Sequence, residues 1–416
     1  MESLPRHSRP FSISPMACLC LLSALLLFCG TAAALAAGDQ SMFRGNAHRT
    51  GYLAEGPQPP LALKWKFKTR HGVREIESFP AVDDGLSPAS VNGGVVYVGG
   101  HDGYVYALDV EKGTLLWEFA TGGRVVSTPT FHDGVVYAGS TDNYLYALNA
   151  GDGTRLWRYK SGVRQFRTIS YRGIRSSPLI ADGVVYVGGC DGRIRALDAK
   201  SGRLRWLVDT GTEGSYASPT SDGGDLYVGS DGLKDSHLFA LKADTGEVRW
   251  KFPVPRQIYA TPALADGILY VHVRDDHVYA LRASDGSLVW KTPAAAPQGE
   301  AQVFTDLSKS SPAVAPQMVY VGIGNDLVAL ERTSGKVKWR AATGRKVDSS
   351  PLVVGDTVYV GSDDRSVYGF AAGSGKNVWS FATGGKVSIS PSVGEDLLLI
   401  GSNDGFLYAF GTVSTP

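Results

Sequence analysis

Short alternating runs of apolar and polar residues, separated by glycine turns, fill most of the chain. In residues 178–206 the apolar stretch PLIA is followed by Asp-Gly at 182–183 and by the run VVYVGG. A second Asp-Gly pair at 191–192 leads to RIRALD and then to a run that carries Trp206. Asp-Gly favours tight hairpins because glycine adopts positive φ without a steric penalty. The pattern therefore predicts four short antiparallel strands in this stretch.

The same phrase recurs along the chain with a spacing of 40–52 residues between equivalent tryptophans. The eight tryptophans are Trp65, Trp117, Trp157, Trp206, Trp250, Trp290, Trp339 and Trp379. A proline preceded by Ser or Thr recurs in step, as Pro88, Pro129, Pro178, Pro219, Pro262, Pro312, Pro351 and Pro391. Such a period is typical of proteins whose units bury their apolar faces only by packing on neighbouring units. We therefore predict that the tryptophans are structural, each indole packing between units and donating its N–H to a carbonyl.

The two ends of the repeated region complement each other. The last copy reaches residues 401–411 and stops before its tryptophan strand, whereas the segment around Trp65 precedes the first complete copy. Joining the two completes an eighth sheet and protects both strand edges. The sequence thus predicts an all-β, eight-bladed β-propeller of four-stranded antiparallel blades, with the N-terminal strand closing the last blade. The expected parts are an N-terminal extended segment at 38–60, the propeller at 61–411 and a tail at 412–416.

The first 37 residues predict a secretory signal peptide. Two arginines precede an apolar run at 16–28, and small residues at 31–37 follow. The apolar run is shorter than the roughly 20 residues needed to span a bilayer. We therefore expect a periplasmic or extracellular mature protein. Lipidation at Cys29 is the alternative, although Phe28 is bulky where a lipoprotein signal has a small residue.

Composition argues against several classes of function. Without Glu2, Arg6 and Arg9 of the predicted signal peptide, 39 basic and 39 acidic residues remain of the 41 and 40 in the whole chain. A chain without net positive charge does not attract nucleic acid through its bulk charge, and phosphate binding needs a basic face. His272 and His277 are five residues apart on a predicted strand and point to opposite faces, which is a poor arrangement for a metal. We predict neither nucleic acid binding nor a metal site.

A tryptophan motif carries a resemblance to a known superfamily. The form Ala-x-Asp-x-x-(Thr/Ser/Lys)-Gly-x-x-x-Trp is clear in ALDVEKGTLLW (107–117) and ALDAKSGRLRW (196–206), with looser copies at five other tryptophans. It resembles the docking motif of propellers of the pyrroloquinoline quinone (PQQ) type, and the likeness covers residues 61–411. Within that superfamily the chain resembles BamB-type non-enzymatic propellers of outer-membrane assembly and, more distantly, quinoprotein dehydrogenases. The lead-in at 41–52 is similar to the N-terminal segment of secreted propellers of this kind.

The dehydrogenase likeness implies a cofactor site that the sequence does not match. Quinoprotein dehydrogenases hold PQQ between a tryptophan and a disulfide of adjacent cysteines, with calcium beside it. After the predicted signal peptide this chain has only Cys190, and its tryptophans occupy the docking motif. We therefore predict no cofactor and no catalytic residues. A dehydrogenase that uses PQQ and Ca²⁺, or another quinoprotein-like propeller that binds a small ligand, is the alternative.

One face of the predicted ring carries the loops that vary in length. In each blade the second-to-third turn and the connection to the next blade share this face, here called the crossover face, and the other turns share the opposite turn face. Variable loops on a rigid scaffold are common binding sites. A basic loop at 164–173 belongs to the crossover face, and Arg164, Phe166, Arg167 and Arg172 are candidates for binding. A solvated loop is the alternative.

The residue three positions before each repeated proline should line the central funnel. Unlike the rest of the repeat, these positions differ from one another: Gly85, Val126, Arg175, Tyr216, Tyr259, Lys309, Asp348 and Ser388. Five of them are candidates for binding an anionic or planar ligand, namely Arg175, Tyr216, Tyr259, Lys309 and Asp348. The alternative is that they solvate a water-filled channel.

Together these features predict a non-catalytic, monomeric binding scaffold for protein partners of the cell envelope. Outer-membrane protein assembly is the specific hypothesis. Membrane association would come through partners or through a lipidated Cys29.

Overall fold

The computed structural model describes residues 40–70, 85–166, 169–171, 173–212, 214–232, 235–275, 277–293 and 309–413. In these ranges the regular secondary structure consists of strands, and no helix there is long and apolar enough to cross a membrane. Apart from one small separate hairpin, the strands form eight antiparallel four-stranded blades that follow one another along the chain, one of which gains a short parallel strand. The predicted all-β, eight-bladed propeller is confirmed.

The described chain enters through two strands that later join the last two blades, β1 (Tyr52–Leu53) and β2 (Leu61–Lys68). Blade 1 consists of β3 (Ser90–Asn92), β4 (Val95–Gly99), β5 (Tyr104–Asp109) and β6 (Leu115–Ala120). Blade 2 consists of β7 (Thr130–His132), β8 (Val135–Gly139), β9 (Tyr144–Asn149) and β10 (Arg155–Lys160). A small hairpin follows, of β11 (Arg164–Phe166) and β12 (Ile169–Tyr171).

Blade 3 consists of β13 (Leu179–Ala181), β14 (Val184–Gly188), β15 (Arg193–Asp198) and β16 (Leu204–Asp209). Blade 4 consists of β17 (Thr220–Ser221), β18 (Asp225–Gly229), β19 (Ser236–Lys242) and β20 (Val248–Val254). Blade 5 consists of β21 (Ala263–Ala265), β22 (Ile268–Val273), β23 (His277–Arg282) and β24 (Leu288–Pro293).

Blade 6 consists of β25 (Ala313–Val314), β26 (Met318–Ile323), β27 (Asp326–Glu331) and β28 (Val337–Ala342). Blade 7 consists of β29 (Leu352–Val354), β30 (Thr357–Gly361), β31 (Ser366–Ala371) and β32 (Asn377–Ala382). Blade 8 combines β33 (Ser392–Gly394), β34 (Leu397–Gly401) and β35 (Phe406–Thr412) with β2. The first strand of each blade is innermost, and each inner strand is followed by a tight turn on the turn face.

The N-terminal strand closes the ring, as predicted. Strand β2 runs antiparallel to β35, from Leu61 opposite Thr412 to Lys68 opposite Phe406. Between blade 8, which contains this strand pair, and blade 1, an apolar cluster packs Val91 and Val96 of blade 1 against residues of blade 8. Seven similar clusters join the other pairs of neighbouring blades around the ring. The hydrophobic core therefore lies between the blades, which is why no blade buries its apolar faces alone.

Each tryptophan links its blade to the next one. All eight indole Nε1–H groups donate to a backbone carbonyl of the neighbouring blade at 2.8–3.0 Å. The glycine of the motif accounts for part of the pattern: Gly202 has φ +68° and lies against the indole of Trp157, where a Cβ atom would come within 2.7 Å of the ring. The motif therefore describes contacts between blades rather than a ligand site.

The segment at residues 40–58, here called the strap, enters the central channel from the turn face. Its backbone carbonyls accept hydrogen bonds from inner-strand N–H groups of six blades at 2.8–3.0 Å. The donors are Val91, Phe131, Ser221, Leu264, Val314 and Val353. In a seventh blade the N–H of Val393 donates to the side-chain oxygen of Gln40 at 3.1 Å, and β1 adds a short parallel strand to β29. The sequence predicted an extended segment here but not its place in the channel.

Candidate functional site

The residues predicted to line the funnel meet at one cavity of about 470 Å³ on the crossover side of the strap. Among the lining residues are Val126, Arg175, Tyr216, Tyr259, Lys309, Asp348 and Ser388. All of them precede an inner strand, so the three-before-proline rule identified the correct position in seven blades. That they bind a ligand stays a proposal.

The prediction for blade 1 is wrong by one residue, since Leu86 rather than Gly85 lines the cavity. The Oγ of Ser87 accepts the N–H of Gly99 at 2.8 Å, just as the Oγ of Ser127 accepts the N–H of Gly139 at 2.9 Å in blade 2. Ser87 therefore corresponds to Ser127, and Pro88 stands where blade 2 has Thr128. The repeated proline of the other blades has no equivalent proline in blade 1.

In blades 2 to 8, the Ser or Thr that precedes the repeated proline belongs to a belt of hydrogen bonds around the cavity. From Thr128 onward, the backbone N–H of this residue donates to the side-chain hydroxyl of the equivalent residue in the next blade, at 2.9–3.1 Å. The accepting hydroxyls, here called the hydroxyl belt, belong to Ser177, Ser218, Thr261, Ser311, Ser350 and Ser390. All six residues line the cavity.

The belt is interrupted at blade 1 because of Pro88. A proline has no backbone N–H and no hydroxyl, so it can neither donate to Thr128 nor accept from Ser390. Accordingly, the Oγ1 of Thr128 is buried and has no hydrogen-bond partner within the described residues. The hydroxyl of Thr128 therefore lacks the backbone N–H that the equivalent residue of the preceding blade supplies elsewhere in the belt.

Replacing Pro88 with serine should therefore raise the free energy of unfolding by about 1 kcal/mol. Two restored hydrogen bonds contribute about 0.5–1.5 kcal/mol each, and the loss of proline rigidity costs about 0.4–1 kcal/mol. Urea unfolding measures the difference. Pro88→Ala is the matched control because it restores only the N–H. Equal stability of the two variants would contradict this account of the belt.

Below the belt, two arginines of the strap fill the channel. The guanidinium of Arg49 donates to the carbonyls of Pro178 and Pro219 at 3.0 and 3.1 Å, and also to Phe43 of the strap. The guanidinium of Arg44 donates to the carbonyl of Pro312 at 2.6 Å. These prolines directly follow hydroxyls of the belt, so both positive charges lie just beneath it.

Both arginines carry charge in the protein interior without an acidic partner. Arg49 is 0% and Arg44 6% exposed, and within the described residues neither forms an ion pair with a carboxylate. Burial lowers the pKa of both guanidinium groups to about 9, and the charge of Arg44 also lowers the pKa of Arg49. Gly51, with φ +59°, packs directly under the Arg44 guanidinium, where a side chain would collide with it.

Above the belt, a row of cations and aromatic rings crosses blades 3 to 5. The Arg175 guanidinium lies 5.7 Å from the ring centre of Tyr216, which contacts Tyr259 edge to face at 5.2 Å. Arg274 covers Tyr259 at 4.5 Å. Burial is the main cause that raises the pKa of the Tyr216 hydroxyl, so this phenol stays neutral and can donate a hydrogen bond.

Two carboxylates complete the wall, and each faces a lysine. Asp348 accepts the backbone N–H of Lys309 at 3.1 Å and lies 3.3 Å from the ammonium group of Lys346. Asp363 lies 3.4 Å from the ammonium group of Lys386. The negative charge of the cavity is therefore already compensated by neighbouring side chains.

Sequence reasoning missed a second ring of cavity residues, at the turn that follows the second strand of a blade. His101, Asp363 and Asn403 line the cavity, and their backbone N–H groups donate to the connection that enters the same blade. A signal was present: in the recurring phrase Gly-(Gly/Ser)-x-Asp the third position varies while its neighbours repeat. In the sequence this variable third position directly precedes the Asp of the second Asp-Gly turn, and the pattern therefore assigns it to the turn rather than to the cavity.

Part of the predicted loop site lies outside the described residues. Arg167 and Arg172 are not described, nor are the side chains of Arg164 and Phe166 in β11. Cys190 is the single cysteine in the described ranges; it is buried, and burial raises the pKa of its thiol to about 11. The same ranges contain no group of His, Cys, Asp and Glu side chains arranged to hold a metal.

Comparison with known families matches most of the chain. The family described as outer membrane protein assembly factor BamB matches residues 62–216, 190–322 and 296–412. The chain belongs to this BamB family. The resemblance to PQQ-type propellers that the tryptophan motif indicated is thereby confirmed.

Solved structures share the fold of this BamB-family chain at low sequence identity. BamB from Moraxella catarrhalis is 19% identical with a TM-score of 0.66, and the match covers 86% of this chain and 99% of that one. A europium-containing methanol dehydrogenase is 17% identical with a TM-score of 0.71, covering 90% and 98%. A curated relative, the β-alanine-activating enzyme of Danio rerio, is 54% identical over 35 residues, 8% of this chain and only 3% of the length of that enzyme.

The cavity of this BamB-family propeller does not fit the PQQ arrangement that the dehydrogenase likeness implies. All eight indoles are engaged between blades, and none lines the cavity. Cys190 has no second cysteine beside it in the sequence. The carboxylates that line the cavity face lysines. We derive no chemical step through PQQ or calcium.

Proposed function

We propose that this protein is a non-catalytic periplasmic or extracellular scaffold that binds a protein partner at its crossover face, over the cavity. The observation that carries the proposal is the strap. It occupies the channel from the turn face and engages inner-strand N–H groups of seven blades. Because the strap fills the channel from the turn face, a partner can reach the cavity only from the crossover face. The side chains there differ from blade to blade.

The rim of the cavity has the chemistry of a protein interface. Tyrosine and arginine are enriched among the residues that contribute most to protein–protein binding energy, and Arg175, Tyr216 and Tyr259 form a contiguous row here. Lys309 is exposed beside them. These residues differ from blade to blade, whereas the positions that maintain the fold repeat, so the fold alone does not account for them.

The family and the predicted signal peptide support a place in the cell envelope. The family name refers to assembly of outer membrane proteins, and the first 37 residues have the layout of a secretory signal. The finer proposal is that the partner is a component of the outer-membrane barrel assembly machinery.

Affinity capture from a detergent extract of the native envelope tests both the binding of a partner at the crossover face and the identity of that partner. The purified wild-type chain should retain barrel-assembly components. Arg175→Glu combined with Lys309→Glu should reduce their recovery at least tenfold, because charge reversal at an interface opposes the partner. The matched control reverses two exposed charges away from the cavity, Arg155→Glu and Lys200→Glu, and should behave as wild type. Absence of these components would contradict the finer proposal, and equal recovery by all variants would contradict the crossover face.

Cofactor titration tests the non-catalytic assignment separately. Addition of PQQ with Ca²⁺ should leave the thermal midpoint unchanged and should give no dye-linked oxidation of alcohols. A ligand that binds the folded state raises the midpoint by mass action. A rise accompanied by turnover would overturn the assignment in favour of a quinoprotein dehydrogenase.

A further inference from the structure

The hydroxyl belt has hydrogen-bonding capacity that the protein does not use. Each of its six hydroxyls accepts one backbone N–H. Within the described residues, none of the six donates its own proton to a protein acceptor. A hydroxyl carries one donor besides its acceptor lone pairs, and all six side chains line the cavity. The belt thus presents a ring of unused O–H donors to whatever occupies the cavity.

Around the belt, basic side chains outnumber acidic ones. Beneath it lie the two buried guanidinium groups of Arg44 and Arg49, bonded to the carbonyls that follow belt residues. Above it, Arg175 and Lys309 line the cavity, and neither forms an ion pair within the described part of the chain. The lining carboxylates, Asp348 and Asp363, face lysines. The belt is therefore surrounded by an excess of cations.

This combination of donors and cations selects the chemistry of a ligand. Hydrogen bonds in which one partner is ionised are about twice as strong as neutral ones, and a buried charge without a partner is costly. A bound oxyanion would use the O–H donors and compensate the buried guanidinium charges together. A neutral ligand could accept the O–H donors but would not compensate the guanidinium charges. A cation would be repelled by them.

We propose that the hydroxyl belt is the floor of an anion site that binds the carboxylate or phosphate group of a small ligand. Arg175 and Lys309 contact the anion from above, Arg44 and Arg49 act through the carbonyls and the field beneath it, and Tyr216 and Tyr259 flank the remainder of the ligand. The cavity volume of about 470 Å³ is that of a site for a small molecule, since such pockets hold about 300–1,000 Å³. The site does not depend on the proposed protein partner.

Isothermal titration calorimetry with inorganic phosphate and with citrate, at constant ionic strength, tests the proposal. We expect saturable one-to-one binding of at least one of them. Arg175→Gln and Lys309→Gln should each weaken that binding at least tenfold. Arg155→Gln, which removes an exposed arginine of β10, should leave it unchanged. Binding of phosphate alone or of citrate alone would support the proposal and identify the group.

A second pair of variants tests the belt itself. Ser218→Ala removes one hydroxyl and should weaken anion binding several-fold, whereas Ser218→Thr keeps the hydroxyl, as Thr261 does in the next blade, and should retain it. If neither anion binds more tightly than chloride, the proposal is wrong. It is also wrong if Arg155→Gln weakens binding as much as Arg175→Gln does. Failure to capture a protein partner would leave these outcomes unaffected, so the two proposals fail separately.

Discussion

Deletion of residues 40–51 of the strap should lower the free energy of unfolding by about 4–10 kcal/mol, since hydrogen bonds contribute about 0.5–1.5 kcal/mol each. Inner strands of seven blades lose an acceptor held by the strap, and water enters the channel from the turn face. Urea unfolding of the mature chain with and without the segment measures the effect. A loss below about 1 kcal/mol, less than one typical hydrogen bond, would show that the strap only rests in the channel.

A point substitution keeps this prediction testable if the shortened chain does not fold. Arg49→Met preserves the length of the side chain and the backbone of the strap, but it leaves the carbonyls of Phe43 and Pro219 without their donor. The carbonyl of Pro178 loses one of its two donors and keeps the hydroxyl of Thr130. The free energy of unfolding should fall by about 2–4 kcal/mol, because an unsatisfied buried polar group costs about 1–3 kcal/mol and the removed charge was itself costly to bury. Lys66→Met on β2 is the control and should have little effect. An Arg49→Met variant as stable as wild type would contradict the role of the strap.

The second large effect is expected at a buried ion pair that is specific to blade 3. In five blades an aspartate in the turn after the second strand accepts the hydroxyl of a tyrosine four residues later. These pairs are Asp102 with Tyr106, Asp142 with Tyr146, Asp275 with Tyr279, Asp364 with Tyr368, and Asp404 with Tyr408. In blade 3 Arg195 replaces the tyrosine and donates two hydrogen bonds to Asp191. Both side chains are 1% exposed.

Arg195→Ala should therefore lower the free energy of unfolding by about 3–5 kcal/mol, because it breaks a buried ion pair. Within the described residues, the Asp191 carboxylate would keep only the backbone N–H of Gly162 at 3.1 Å and the more distant guanidinium of Arg193 at 3.9 Å. Arg195→Tyr recreates the pair found in five other blades and should cost less than about 1 kcal/mol, the size of a single hydrogen bond. Urea unfolding of the three proteins at pH 7 makes the comparison. If Arg195→Tyr is as unstable as Arg195→Ala, the blade needs the arginine itself and the equivalence of the pairs is wrong.

The fold could be predicted because its contacts repeat in sequence. Every tryptophan makes the same contact with the next blade, so one motif describes the interface eight times. The closing strand followed from the missing partners at the two ends. The shift of the Ser-Pro dipeptide in blade 1 could not be predicted, because Ser87-Pro88 has the same sequence as the dipeptides of the other blades although it stands one residue earlier in the repeat. The shift becomes visible only in the structure, where the N–H of Gly99 donates to the Oγ of Ser87.

The site could be predicted only in part, for a physical reason. Arg175, Lys309 and their neighbours occupy a repeated position, so the period locates them. Arg44 and Arg49 lie outside the repeat and read as ordinary surface charges, yet they are among the most buried side chains of the strap. Their partners are backbone carbonyls of distant blades, and backbone acceptors leave no signature in the side-chain sequence. The same holds for the carbonyls of the strap.

Site-specific photo-crosslinking in the native envelope tests most directly whether a protein partner binds at the crossover face. A photoreactive phenylalanine would replace Lys309 or Arg345 on that face, and Asp182 or Lys200 on the turn face; all four side chains are exposed. We predict discrete crosslinked adducts from positions 309 and 345 and none from positions 182 and 200. Adducts from the turn face alone, or no adduct from position 309 or 345, would contradict the proposed function.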